Sequence, residues 1–160
     1  MPQAAFAITP VRSAGDLAAT ITLFTTYANS LGIDLAYQGF SAEMAAMPGK
    51  YAPPAGELLL ARRADGEAFG CVGLRPIEPP GCCEMKRLYV APTARGLGLG
   101  KALVEAVVAE AQRIGYREIR LDTLPTMDEA IGLYGKLGFE PIAPYYVTPI
   151  EGTRFMAKRL

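Results

Sequence analysis

Histidine is absent from these 160 residues. Every mechanism that turns on a histidine base is thereby excluded, and with it most catalytic zinc sites. Cysteine is scarce: Cys71, Cys82 and Cys83 are odd in number and two are adjacent. Their spacing suits neither a disulfide framework nor a zinc site, so they read as small apolar residues of a reduced compartment. Neither sign of charge is in excess, since 16 basic and 16 acidic side chains cancel. No global field recruits a polyanion, and nucleic acid is not expected as a partner. No apolar run approaches the length that spans a bilayer, and no membrane partner is expected. The N-terminal stretch MPQAAFAITPVRSAGDL lacks a charged region followed by a long apolar run, so it does not read as a secretory signal and the cytoplasm is the expected location. With 51% apolar and 20% charged residues, the composition is that of a soluble globular domain. A chain of this length buries a full core without disulfides or metal, and residues 1–160 are expected to form one domain.

The stretch that organises the chain is Glu84 to Lys101, EMKRLYVAPTARGLGLGK. Met85 to Val90 reads as a strand, and Ala91-Pro92 ends it because proline brings no amide hydrogen to a ladder. Glycines at 96, 98 and 100 follow, and then a helical pattern begins at once. Bare backbone amides, the unpaired first-turn N–H groups of a helix and the positive end of its dipole together make a site for phosphate. A P-loop is excluded, because Arg95 stands where its first glycine should and Ala102 where its hydroxyl should. A dinucleotide fingerprint is excluded too: its third glycine position falls on Lys101 or Leu103.

Around this stretch the periodicity predicts a short strand over Ala5–Thr9. It then predicts a helix capped by Ser13, carrying Leu17, Ile21, Phe24, Ala28 and Leu31 on one face. Residues 32–56 are irregular, with one short helix over Ser41–Ala46, and are a candidate wall for a substrate or a plain connector. Strands are predicted over Leu58–Arg63 and Ala68–Leu74, joined by a tight turn at Asp65-Gly66, with a second turn from Arg75 to Gly81. After the glycine loop come an amphipathic helix closed by Gly115 and a strand over Glu118–Thr123. Strand, crossover helix and strand imply a right-handed parallel pair. Thr126 and Glu129 have capping-box spacing for a further helix that Gly138 ends. Strands from Phe139 and over Thr153–Met156 complete the order.

Arg95, Gly98 and Gly100 satisfy [RQ]-x-x-G-x-[GA], and Ala130 to Phe139, AIGLYGKLGF, satisfies A-x-x-L-Y-x-x-x-G-F one helix and one strand later. This pair of motifs resembles the GNAT family of N-acetyltransferases. The resemblance covers Glu84 to Phe139 well and the first fifty-odd residues only by element order. It implies the acyl-CoA N-acyltransferase fold: an α/β structure with a mixed, mostly antiparallel central sheet flanked by helices and a splayed parallel strand pair. It implies acetyl-coenzyme A as cosubstrate, with no metal. Leu88, Tyr89 and Val90 would offer backbone groups to its pantetheine and acetyl carbonyl. Arg95, Gly96, Leu97, Gly98, Leu99, Gly100 and Lys101 would hold its pyrophosphate, and Tyr134 would point its phenol at the sulfur. Many members carry an asparagine three positions before the helix alanine, where this chain has Met127.

The implied activity is acetyl transfer to the amine of a small molecule or amino acid, by direct attack in a ternary complex. The acceptor's proton, the oxyanion and the departing thiolate must then all be served without histidine. Glu84 resembles in placement the base glutamate of histone-type members, and is otherwise a surface charge at a strand end. Tyr134 is a general acid by the motif, and otherwise a core aromatic at helical spacing. Lys86 and Arg87 read as solvated or paired, and Asp122 as holding a water or capping the next turn. The alternatives are a non-catalytic acyl-coenzyme A sensor and an acetyltransferase acting on a protein N-terminus or lysine. A homodimer is left open.

Overall fold

The computed structural model describes residues 5–160. Seven strands form one sheet in the order β1-β2-β3-β4-β5-β7-β6. They are β1 (Ala7–Pro10), β2 (Glu57–Arg62), β3 (Ala68–Ile77), β4 (Cys82–Val90), β5 (Glu118–Thr123), β6 (Glu140–Pro141) and β7 (Arg154–Arg159). All neighbours are antiparallel except β4 and β5, which the crossover helix makes parallel. Four helices flank the sheet: α1 (Ala14–Ser30), α2 (Phe40–Ala45), α3 (Leu99–Ile114) and α4 (Asp128–Lys136). Among the described residues no helix is long and apolar enough to cross a membrane.

Two buried clusters show how the amphipathic patterns are used. Leu99, Leu103, Val104, Val107 and Ala111 of α3 pack with Val72, Leu74, Cys83, Met85, Ile119 and Leu121 on one face of the sheet. Leu23 and Phe24 of α1 pack with Leu58, Leu60, Cys71 and Tyr51 on the other. All three cysteines are buried and free. Each face is covered by the helix whose apolar stripe was legible, because a sheet buried on both faces needs a stripe for each.

Ser13 caps α1 as expected, its side chain accepting from the Asp16 N–H at 3.1 Å. Two expectations need correction, while the short helix expected within residues 32–56 is present as α2. The segment from Arg75 is not all turn: β3 runs on to Ile77, since Arg75, Pro76 and Ile77 pair with Glu84, Cys83 and Cys82. The capping box at Thr126 does not form; Met127 occupies the N-cap position of α4 without a side-chain cap bond. The irregular 32–56 segment holds α2 together with 3₁₀ turns at Leu35–Gln38 and Gly49–Tyr51. The end of α4 follows expectation. Gly138, at φ 94°, donates to Gly135, and the Phe139 N–H donates to the Tyr134 carbonyl at 3.0 Å, closing a Schellman motif.

Candidate active site

β4 and β5 are paired only where Cys82–Glu84 faces Glu118–Arg120. Beyond Glu84, β4 follows β3 while β5 stays with β7, so the two strands part. A bulge assists the parting: Cys71 pairs with Tyr89 and Gly73 with Lys86, which leaves Arg87 and Leu88 opposite Val72 alone. Arg87 adopts φ 59°, a left-handed conformation rare in a residue with a side chain. A bulged residue leaves the ladder, and here the Arg87 carbonyl accepts from the Cys71 thiol of β3.

A cavity of about 1010 Å³ occupies this parting. Met85 to Val90 line one wall, Asp122 and Thr123 of β5 the facing wall, and Leu133 and Tyr134 of α4 a third. Arg95, Gly96 and Gly98 to Lys101 line one end; Leu97 alone of that loop does not, and it is 44% exposed. Gly96 and Gly98 sit at φ 83° and 75° with nothing within 4 Å of where a Cβ would stand. The first intrahelical N–H bond of α3 runs from Ala102 to the Gly98 carbonyl, so the N–H groups of Leu99, Gly100 and Lys101 have no acceptor within the helix. The loop therefore presents a bare, electropositive cradle to the cavity.

Tyr27, Ser30 and Leu31 of α1 and Leu35 and Gln38 of the 3₁₀ turn also line the cavity. Here the structure gathers charge that the sequence reading treated as peripheral. Arg87 is 3% exposed, donates to Gln38 Oε1 at 2.7 Å, and pairs with Glu43 at 3.3 Å. Lys86 is 6% exposed and lies 3.7 Å from Asp122. Burial pulls the Lys86 ammonium below its ordinary pKa, against the opposing pull of Glu84 and Asp122. Asp122 accepts the Tyr146 hydroxyl on Oδ2.

Glu84 is 2% exposed and is therefore no surface charge. Arg75 Nε donates to its Oε1 at 2.9 Å and the Tyr145 hydroxyl donates to its Oε2. It does not line the cavity, whereas Asp122 does. Tyr134 does line it, at 5% exposure, with its ring against Phe139 at 5.8 Å. Burial raises the Tyr134 pKa well above that of a free phenol. One cavity thus unites Tyr134, Leu88 to Val90 and the glycine loop, while Glu84 is not among its lining residues. Gln38 and the Tyr145-Tyr146 pair were not singled out from sequence; Lys86 reads there as solvated or paired, and it is paired, while Asp122 reads as holding a water or capping a turn. A signal existed: Glu84 and Lys86, and Arg120 and Asp122, are charged at i, i+2 with an apolar residue between them, which puts each pair on one face.

Residues 34–139 match the sequence profile described as the acetyltransferase (GNAT) family. The chain belongs to the GNAT family. An uncharacterised N-acetyltransferase of Schizosaccharomyces pombe is 42% identical to it over 93% of this chain and 91% of the relative. Another, of Dictyostelium discoideum, is 30% identical over 79% of this chain and 86% of the relative. A solved structure from Klebsiella pneumoniae, assigned as an acyl-CoA N-acyltransferase, superposes with TM-score 0.75 at 28% identity over 99% of both chains. GNAT membership implies acetyl-coenzyme A as acyl donor. The residues present fit that group: the cradle of Gly96, Gly98 and the α3 amides has room and polarity for a pyrophosphate, and the cavity continues from it to Tyr134.

Proposed function

We propose that this chain, as one domain in the cytoplasm, transfers an acetyl group from acetyl-coenzyme A to a small-molecule amine or amino acid. Transfer is by direct attack in a ternary complex. The observation that carries the reading is one cavity lined by the glycine-loop cradle, by Tyr134 and Asp122, and by the polar groups of Gln38, Lys86 and Arg87. Acetyl-coenzyme A, when bound, supplies the acetyl group as a thioester whose C–S bond is exchanged for the product's C–N bond. The amides of residues 96 and 98–101 hold the pyrophosphate, and the bulged strand from Leu88 to Val90 offers backbone groups to the acyl end. The Tyr134 hydroxyl stays protonated at neutral pH and gives its proton to the departing sulfur. Asp122, the carboxylate that β5 brings to the wall beside Lys86, takes the proton that the amine loses. Glu84 supports it from behind, through Tyr145 and the packed Tyr145–Tyr146 ring pair at 5.7 Å.

Gln38 and Glu43 tie the 35–45 segment to Arg87 and so narrow the acceptor end, which favours a small acceptor over a protein N-terminus or lysine. A sensor has no need of that polar acceptor end. The direct test is acetyl-coenzyme A-dependent thiol release with a panel of amines and amino acids. Turnover with at least one is expected, and tight coenzyme binding with no turnover on any would make the protein a sensor.

The two carboxylates separate in a second measurement. Asp122→Asn is expected to lower kcat by about tenfold and to remove the loss of rate at low pH that a carboxylate base produces. Glu84→Gln keeps hydrogen-bonding capacity toward Tyr145, and a several-fold loss is expected. A larger loss for Glu84→Gln would move the base from β5 to β4.

A further inference from the structure

The acceptor end of the cavity carries more charge than proton transfer needs, and its arrangement is specific. Lys86 lies on the wall yet is 6% exposed, so its ammonium has left bulk water. Among the described residues its polar contacts are Gln38 Oε1 at 3.4 Å and Asp122 Oδ1 at 3.7 Å. Charge-assisted N–H···O bonds run at roughly 2.7–2.9 Å, and an ammonium has three donors to place. The neighbouring groups are committed elsewhere. Glu84 is held by Arg75 and Tyr145. Glu43 lies against Arg87 and Arg75. The Gln38 oxygen already accepts from Arg87 at 2.7 Å. Arg87 and Arg75 add positive potential rather than relief. The lowered pKa of Lys86, with burial as its largest cause, is what an under-compensated cation shows.

Beside this cation stands one carboxylate oxygen. Asp122 gives Oδ2 to the Tyr146 hydroxyl, and its Oδ1 faces Lys86 from the opposite strand of the parting. The wall therefore offers a positive and a negative group 3.7 Å apart, one from β4 and one from β5. An α-amino acid carries an ammonium and a carboxylate on one carbon, with a comparable separation and the opposite polarity.

We infer that Lys86 and Asp122 together form the acceptor subsite and read the two charges of an α-amino acid, the carboxylate at Lys86 and the amine at Asp122. This rests on the acetyltransferase reading above and names its substrate class. The amine is then held at the oxygen that takes its proton. A decarboxylated amine meets Asp122 alone and leaves the buried Lys86 ammonium with only its long contacts to Gln38 and Asp122, so a site built this way disfavours it.

The test compares L-amino acids with their own decarboxylated amines, in acetylation assays and in calorimetric titrations with free coenzyme A present. The parent protein is expected to favour the amino acids in kcat/KM by at least about tenfold. Lys86→Met is expected to bring that ratio close to one, chiefly through KM for the amino acids, with coenzyme binding unchanged as evidence of an intact fold. Lys86→Arg is expected to keep much of the preference. Equal use of amines and amino acids by the parent overturns the inference and leaves the acetyltransferase reading standing. So does a Lys86→Met protein that loses both substrate classes equally, because Lys86 would then serve catalysis or folding rather than recognition. If no amine is turned over, the acetyltransferase reading fails and the titrations still decide. Amino-acid binding that weakens in Lys86→Met supports the subsite, and no binding of amino acids overturns it.

Discussion

Gly98→Asp is expected to lower acetyl-coenzyme A affinity by at least about a hundredfold while the protein stays folded. Gly98 is the N-cap of α3 at φ 75°, and no atom lies within 4 Å of its would-be Cβ. An aspartate therefore has space in the free protein, and it is among the residues that tolerate a left-handed conformation and favour a helix N-cap. Its cost falls on the ligand. A carboxylate would stand in the cradle where the phosphates bind, and two unit charges about 4 Å apart repel by roughly 4 kcal/mol at an effective dielectric of 20. Gly98→Ala separates strain from charge, and only a few-fold loss is expected of it. Calorimetry that finds parental affinity in a folded Gly98→Asp protein would remove the loop from the site.

Tyr134→Phe is expected to lower kcat by roughly 10²-fold, within the range typical of general acid–base catalysis, and to move the coenzyme dissociation constant far less. The substitution keeps the ring against Phe139 and leaves the Tyr134 carbonyl in the Schellman motif, so stability should barely change. The pH profile adds an independent check. A free phenol titrates near pH 10, and burial raises Tyr134 above that value. Raising the pKa of an acid extends its protonated range upward, so the donor form persists at neutral and mildly alkaline pH. No alkaline loss of kcat from this group is expected below about pH 10. Parental turnover in the Phe variant would make the tyrosine a core aromatic and nothing more.

Both predictions rest on residues that stood out in the letters, and the reason is local. The glycine loop and the end of α4 are set by short-range rules: positive φ favours glycine, and a helix start leaves its first amides bare. Strand and helix periodicities placed α1, α3 and β5 within a residue or two for a related reason, since each must turn an apolar face toward one side of a sheet. Local rules also misled. Thr126 and Glu129 have capping-box spacing, but the chain leaves β5 through Pro125 and starts α4 at Asp128, so the spacing is coincidental.

Sequence alone determined the order of the elements, the glycine loop before α3, the place of Tyr134 near the end of α4 and the family they resemble, because each depends on residues close together in the chain. Only the tertiary structure decided that Asp122 lines the cavity and Glu84 does not. Glu84 and Asp122 look alike in sequence, each an acidic residue two positions from a basic one in a strand. The parting of β4 from β5 after Glu84 leaves one sealed between Arg75 and Tyr145 and the other on the open wall beside Lys86. That difference is made by Tyr145, 61 residues from Glu84, and by Tyr146, 24 residues from Asp122. Contacts over such separations follow from how the sheet closes, and no periodicity in a single strand carries them.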